Sequence, residues 1–264
     1  MKDFTLESYK SLLIALKNAG YHFLTFEEYL KGELNPVLNQ HHKKIVLLRH
    51  DVDKLPENSL ATAQIEKELG IASTYYFRIV KESNHPAIIQ QIKLLGHEIG
   101  YHYEDLALCK GDVKKAIVQF ENNLNYFRGF YPVSTICMHG SPLTKWDNRA
   151  IWETYDYKKY DLIGEPYFDI DFNKFLYLTD TGRKWDGDKE VIRDKVKKSV
   201  SASDSSFEKH SYHSTFDIIS KIDTLPSQVM ITTHPQRWTN NLLSWTKELI
   251  LQNIKNSVKK AINK

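Results

Sequence analysis

The chain has 264 residues, a formal net charge of +3 and a hydrophobic content of 41%. This length allows one large α/β domain or two small ones, and the apolar content excludes global disorder. So small a net charge does not indicate a nucleic-acid partner. Its two cysteines, Cys109 and Cys137, exclude both a disulfide framework and a Cys-rich zinc site. No run of about 18 apolar residues and no signal-peptide core are present, so we expect a cytoplasmic protein without a membrane span.

Helical patterns alternate with short apolar strands along the chain. The first half predicts two N-terminal helices, one over residues 5–19 and one capped by Thr25, and then strands and helices in turn: strand 45–50, helix 56–69, strand 73–80, helix 86–95, strand 98–102 and helix 112–127. The second half predicts strands at 134–139, 175–179 and 229–233, a weak helix at 188–198, a Ser-rich loop at 199–206 and a closing helix at 239–262. Such alternation is typical of a parallel sheet built from βαβ units.

One domain over residues 1–264 is the simplest organisation, with N-terminal helices in 1–40 and the closing helix in 239–262. Residues 140–187 break the pattern, because they are dense in Trp, Tyr, Asp and Pro and poor in helical period. A long irregular stretch inside a compact domain is usually functional or disordered, and its aromatic content favours function.

Ionisable residues stand where four predicted strands end. They are Asp51 and Asp53 after the first strand, His102 with Glu104 and Asp105, His139, and His234. Ligands of parallel α/β folds bind outside the carboxyl ends of the strands, so these four segments predict one shared site. For the first segment taken alone, a structural ion pair between Arg49 and one of the two aspartates is the competing interpretation.

Carboxylate and imidazole side chains together suit a divalent metal such as zinc. A metal can polarise a carbonyl and activate water, a second Asp outside the ligand set can act as general base, and a distant His can act as general acid. The pair Asp51 and Asp53 fits such a division of roles.

The chain resembles the polysaccharide deacetylases of the NodB type, carbohydrate esterase family 4. Asp51-Val52-Asp53 is similar to the first family motif, residues 73–77 to its Ala-Thr-Phe-Phe strand, and residues 96–102 to its Gly-His-Glu-Ile-Gly-x-His. The resemblance implies a distorted (β/α) barrel, a divalent metal that we expect to be zinc, Asp51 as the base, and Asp53 and His102 as metal ligands.

Residues 138–142 fall where the third family motif would lie, and residues 180–185 and 233–235 resemble the fourth and the last motif. The last of these implies that His234 is the general acid. The predicted substrate-binding residues are Arg49, His50, Asp180, Arg183, Trp185, Arg237 and Trp238.

Two departures from the family pattern stand out. The second His of the family's His-x-x-x-His is replaced by Leu106, so the third ligand must come from elsewhere; His139 is our first choice and Glu104 the alternative, with Asp105 also a candidate. The usual Arg that pairs with the base is also missing from the third motif. Arg49, Arg183 or His139 are the candidates to replace it.

The resulting expectation is a metal-dependent hydrolase that removes an acetyl group from a sugar or polysaccharide precursor, in surface-polysaccharide metabolism, with a carbohydrate as its partner. The sequence leaves the oligomeric state open. Two alternatives remain at this point: a catalytically impaired carbohydrate-binding protein on the same fold, and another metallohydrolase or a glycoside hydrolase.

Overall fold

In a computed structural model, the protein is described over residues 2–34, 43–140, 144–185 and 212–262. Its strands form one seven-stranded parallel sheet, with six of them in the order β5-β4-β3-β2-β7-β6 and β1 paired beside β2. The strands are β1 (His22–Leu24), β2 (Ile45–Val52), β3 (Thr74–Phe77), β4 (Glu98–Tyr103), β5 (Ile136–Met138), β6 (Leu176–Thr179) and β7 (Gln228–Thr233).

Helices connect the strands and cover the sheet. They are α1 (Leu6–Asn18), α2 (Phe26–Leu34), α3 (Pro56–Glu68), α4 (Pro86–Leu94), α5 (Asp105–Leu108), α6 (Val113–Arg128), α7 (Pro166–Asp169), α8 (Thr215–Ser220) and α9 (Leu242–Ile262). Short 3-10 helices lie at Asn148–Glu153, Tyr157–Tyr160, Ile222–Thr224 and Pro235–Arg237. Among the described helices, none is both long and apolar enough to cross a bilayer.

The central strand is β2, and all eight of its residues are buried. On one edge it pairs with β7 from Ile45 to His50; on the other it pairs with β1 along its first half and with β3 along its second. Successive side chains of a strand point to opposite faces, so Arg49 and Asp51 share one face while His50 lies on the other. This alternation decides which polar residues of β2 reach the candidate site.

The sheet is strongly curled. Three strand spacings separate β2 from β5, a distance of roughly 14 Å in a flat sheet. Nevertheless Nε2 of His139, which follows β5, lies 3.5 Å from Oδ1 of Asp53, which follows β2. The α/β fold predicted from the sequence is confirmed. Among the described residues the edge strands β5 and β6 do not pair with each other, so the sheet forms an open half-barrel.

Most predicted elements are present, with shifts of a few residues at their ends. Thr25 accepts a hydrogen bond from the Glu28 amide and so caps α2, and Asp112 caps α6, both as predicted. The strand predicted over 73–80 ends at Phe77, because the chain turns there and the Arg78 amide donates to Ser83 Oγ at 3.0 Å. β1, α5, α7 and α8 were not predicted, and the predictions for 188–198 and 199–206 lie outside the described residues.

Within residues 144–185, the predicted irregular stretch consists of 3-10 turns, the single-turn α7 and β6. Asp147, Asp156 and Glu165 each accept a backbone hydrogen bond at the start of one of these short helices. The segment therefore has local order without long helices, as its weak helical period indicates.

A buried carboxyl group, Glu98, joins α2 to the sheet. It accepts hydrogen bonds from the hydroxyls of Thr74 and Thr135 and, at 3.0 Å, from the backbone amide of Glu27 in the first turn of α2. Burial raises the pKa of Glu98 to about 7, despite these three donors. The neutral form is therefore favoured in the folded protein.

This placement predicts a pH-dependent contribution to stability. The reference pKa of Glu98 is 4.5 and its folded value is about 7, so the folded protein retains a proton that the unfolded chain releases. The stabilising contribution is fully present below about pH 4.5 and is lost as pH rises through about 7, with a loss of about 3 kcal/mol at most. We expect Glu98→Gln to remove this decline in the free energy of unfolding, measured by urea denaturation between pH 4.5 and 8.

The matched control is Glu57→Gln, at an exposed position of α3. It should follow the wild-type curve, so that all other titrating groups cancel in the comparison. A Glu98→Gln curve parallel to the wild type over this range would contradict the prediction.

Candidate active site

Three side chains of types that can bind a metal ion meet at the carboxyl ends of the strands. Asp53 follows β2, His102 lies in β4 and His139 follows β5. The Oδ1 atom of Asp53 is 3.8 Å from Nε2 of His102 and 3.5 Å from Nε2 of His139. One potential ligand atom from each of the three residues lies within 4.8 Å of the other two.

The hydrogen bonds of the two imidazoles fix their tautomers. Nδ1 of His102 lies 2.9 Å from the carbonyl oxygen of Cys137, an acceptor only, so Nδ1 carries the proton. Nδ1 of His139 lies 2.9 Å from Oε2 of Glu104 and is likewise the donor. In the neutral rings both Nε2 atoms therefore present lone pairs toward Asp53.

The unpartnered atom of this group is Asp53 Oδ1, which is buried and has no hydrogen-bond partner among the described residues. Three electron-pair donors thus face one another at distances too long for hydrogen bonds. Donor atoms around a tetrahedral zinc ion, each at about 2.1 Å, stand about 3.4 Å apart, close to the separations seen here. The residues present fit a divalent cation.

The pKa values agree with this interpretation. Burial lowers the pKa of His102 to about 4, which leaves the imidazole neutral, the form that binds metal. Burial acts to raise the pKa of Asp53, but the surrounding imidazoles, His139 first, hold it below its usual range when they carry a proton on both nitrogens. An alternative group of Asp51, His102 and Cys137 also has ligand spacing. It is less suitable, because both carboxylate oxygens of Asp51 accept hydrogen bonds from Arg49.

Arg49 and Asp51 form a bidentate ion pair beside this group. Nε and Nη2 of Arg49 donate to the two carboxylate oxygens of Asp51 at 2.7 and 2.6 Å. Burial acts to raise the pKa of Asp51, but the guanidinium and the nearby His102 hold it well below its usual range. Asp51 Oδ2 lies 3.8 Å from His102 Nε2, so an ionised carboxylate stands next to the metal-binding group. Of Arg49, Arg183 and His139, the three residues named from the sequence as possible partners of Asp51, Arg49 is the one that forms an ion pair with it.

His234, which follows β7, approaches the carboxylate of Asp53 from the other side of β2. Its Nε2 lies 4.0 Å from Oδ2 of Asp53, while its Nδ1 is 2.6 Å from Oδ1 of Asp180. Asp180 also accepts from the His234 amide, from Arg237 and from the Trp238 indole. Burial and Arg237 act to lower the pKa of His234, but Asp180 outweighs them and raises it. Asp180 therefore orients the ring and stabilises its protonated form relative to that of a free imidazole.

Four predicted substrate-binding residues are not brought to the cleft. His50 is fully buried on the opposite face of β2, within hydrogen-bond distance of Glu66 and Thr233. Trp185 is buried against Phe4 and Trp238 in the core. Arg183 donates to the Trp245 carbonyl, and Trp238 supports Asp180 from within the core. For these four residues the structure corrects the predicted contact with substrate, because packing or strand alternation directs them elsewhere.

Two side chains near the site were not predicted. Arg78, directly after β3, donates to both oxygens of Glu104, and Gln236 donates to Asp53 Oδ2 at 3.2 Å. Both follow strands of the sheet, and this signal was present in the sequence. The predicted strand over 73–80 places Arg78 inside a strand, whereas the observed strand ends at Phe77 and leaves Arg78 at the carboxyl edge.

No family model and no curated protein matches the chain. Solved structures similar to it include the Streptococcus pyogenes deacetylase PplD in complex with acetate, at 17% identity and a TM-score of 0.38, covering 52% of this chain and 64% of that one. The chain thus spans less than two thirds of PplD.

A second similar structure is the Xyl-CE4 domain of a multidomain xylanase from the hindgut metagenome of Trinervitermes trinervoides, at 13% identity and a TM-score of 0.39, covering 83% of this chain and 84% of that one. A third is a mutant of the peptidoglycan deacetylase PdaC from Bacillus subtilis, at 12% identity and a TM-score of 0.38, covering 83% and 97%. Two of these three proteins, PplD and PdaC, are named as deacetylases. The chemistry proposed below rests on the side chains of this chain.

The donor set predicts one divalent-metal site per chain. We expect zinc titration calorimetry to show about one equivalent bound, and His139→Ala to weaken the affinity by about 100-fold, because one of three protein ligands is lost. His85→Ala, at an exposed position before α4 that belongs to neither group with ligand spacing, should bind zinc like the wild type. Equal affinity in the His139→Ala and His85→Ala variants would contradict this assignment.

Proposed function

We propose that the protein is a metal-dependent hydrolase that removes an acetyl group from a carbohydrate. The observation that supports this most is the unpartnered Oδ1 of Asp53, which faces the lone pairs of His102 and His139. Asp51 and His234 stand on either side of this group, each held by a partner of opposite charge. The residues therefore supply a cation-binding group, a carboxylate and an imidazole in one place.

In this proposal Asp53, His102 and His139 hold the ion, which when bound supplies Lewis acidity toward an acetyl carbonyl. Asp51 accepts a proton from the attacking water, and Arg49 keeps that carboxylate oriented between turnovers. His234 donates a proton from Nε2 to the leaving nitrogen or oxygen of the sugar. Water adds to the carbonyl carbon, the bond to the sugar breaks, and acetate and the free amine or hydroxyl are released.

Asp180 has a supporting role in this scheme. By accepting from Nδ1 it leaves Nε2 of His234 as the atom that faces the cleft, and it favours the protonated ring. Arg237 and Trp238 hold Asp180 in turn. In this proposal the segment 180–185, which resembles a family motif, contributes Asp180 as the residue that orients the general acid His234.

For the substrate we propose a sugar or polysaccharide precursor in surface-polysaccharide metabolism; this role and a cytoplasmic location stay predictions. The catalytically impaired alternative depended on the missing second His of the family motif. The His139 Nε2 atom, 3.5 Å from Asp53 Oδ1, supports an intact donor set over this alternative. We therefore propose an active enzyme rather than a carbohydrate-binding protein without activity.

The direct test is release of acetate from N- and O-acetylated sugars and oligosaccharides with zinc, cobalt or no added metal. We expect activity that needs the metal, and a loss of about 10²- to 10⁴-fold in kcat for Asp51→Asn and for His234→Ala, because each removes one proton-transfer group. Both variants should retain a large part of the zinc affinity, since neither residue belongs to the proposed ligand set.

His85→Ala again serves as the unaffected control. Release of no acetate across a broad panel, by folded protein with zinc bound, would overturn the deacetylase proposal. Undiminished release by Asp51→Asn would instead overturn the role assigned to that carboxylate.

Replacing Asp180 tests how the acid is held. Asp180→Asn keeps the shape of the side chain but removes the charge that favours protonated His234, so we expect kcat to fall by about 10-fold or more while zinc affinity changes little. The alkaline limb of the pH–rate profile should move to lower pH. A profile identical to the wild type would contradict the role proposed for Asp180.

A further inference from the structure

We propose that Glu104, anchored by Arg78, is a positioning residue that fixes His139 as the third metal donor. The inference rests on the proposed metal site but concerns a different question, namely how an imidazole outside the family motif is held in place. It also assigns Glu104 a role distinct from that of direct ligand, the alternative raised by the sequence.

The contact between Glu104 and His139 determines which nitrogen of the ring faces Asp53. Oε2 of Glu104 lies 2.9 Å from Nδ1 of His139, and the opposite atom of the ring, Nε2, lies 3.5 Å from Asp53 Oδ1. A carboxylate behind a metal-binding His fixes its tautomer and orientation and raises its basicity. His102 obtains the same orientation from the Cys137 carbonyl, so each of the two imidazoles has its own acceptor.

Arg78 holds Glu104 rigidly in turn. Its Nε and Nη2 donate to the two carboxylate oxygens at 2.8 Å each, and the side chain of Glu104 is only 7% exposed. Nη1 of Arg78 donates to the backbone carbonyl of Asp53 at 3.3 Å. One guanidinium–carboxylate unit thus connects the segments that follow β2, β3, β4 and β5.

The same contacts argue against Glu104 as a ligand. Both of its oxygens already accept charge-assisted hydrogen bonds, and Oε2 accepts from two donors. The group with ligand spacing contains Asp53, His102 and His139 but not Glu104. The backbone of His139 itself is held as well, since Asn148 Nδ2 donates to the His139 carbonyl at 2.8 Å.

The test compares zinc dissociation constants, measured by competition with a chromophoric chelator, for the wild type, Glu104→Ala, Glu104→Gln and Asp105→Asn. We expect Glu104→Ala to weaken zinc binding by about 10- to 100-fold, and Glu104→Gln by less, because its amide oxygen still accepts from Nδ1. Asp105→Asn is the matched control: the neighbouring carboxyl is equally buried but accepts from Tyr101 and Asn123. It should change stability while leaving the zinc affinity within about twofold.

A second measurement uses ¹⁵N NMR of the metal-free protein to read the tautomer of His139. We expect the proton on Nδ1 in the wild type and in Glu104→Gln, and a mixture of tautomers in Glu104→Ala. This readout keeps the inference testable if Glu104→Ala folds poorly, because the wild type and the Gln variant decide it.

Zinc affinity unchanged in Glu104→Ala, a wild-type protein that binds no zinc, or a proton on Nε2 of His139 in the wild type would each overturn the inference. Failure of acetate release alone would not, because zinc binding and the tautomer are measured without substrate. The two proposals can therefore fail separately.

Discussion

The carboxylate of Asp53 faces imidazoles that come from strands on both sides of β2, and this convergence requires the sheet to curl. His102 and His139 come from strands on one side of β2, and His234 comes from β7 on the other. A flat parallel sheet would keep these side chains a strand spacing or more apart. Curling brings the carboxyl ends of β2, β4, β5 and β7 together.

Each polar group of the site is held from behind by an oppositely charged or hydrogen-bonding partner. Arg49 holds Asp51, Asp180 holds His234, Glu104 holds His139 and the Cys137 carbonyl holds His102. Buried charge is tolerated only when it is paired in this way. Asp53 Oδ1 stands apart among these groups, as a buried ligand atom without a partner in the described part of the chain. The chemistry of the cleft is therefore centred on that atom.

Much of this arrangement was readable from the sequence, because apolar strands ending in charged residues identify both the sheet and its functional edge. The alternation of β2 also separates Asp51 and Asp53 from His50, so the placement of His50 away from the cleft follows from strand geometry that the sequence contains. The choice between His139 and Glu104 as ligand does not follow from spacing. It depends on how far the sheet curls and on which nitrogen of the His139 ring donates a hydrogen bond to Glu104. Both are properties of tertiary packing.

The ligand atoms are contributed by residues 53, 102 and 139, with His234 nearby, so the cluster is spread over some 180 positions of the polymer. No partly assembled chain that lacks β5 or β7 contains the complete constellation. A cation captured there would engage the native state far more strongly than any unfolded or half-formed state, and by mass action would shift the folding equilibrium toward completion. Thermal resistance of this protein should thus depend on the metal content of its surroundings, quite apart from catalysis.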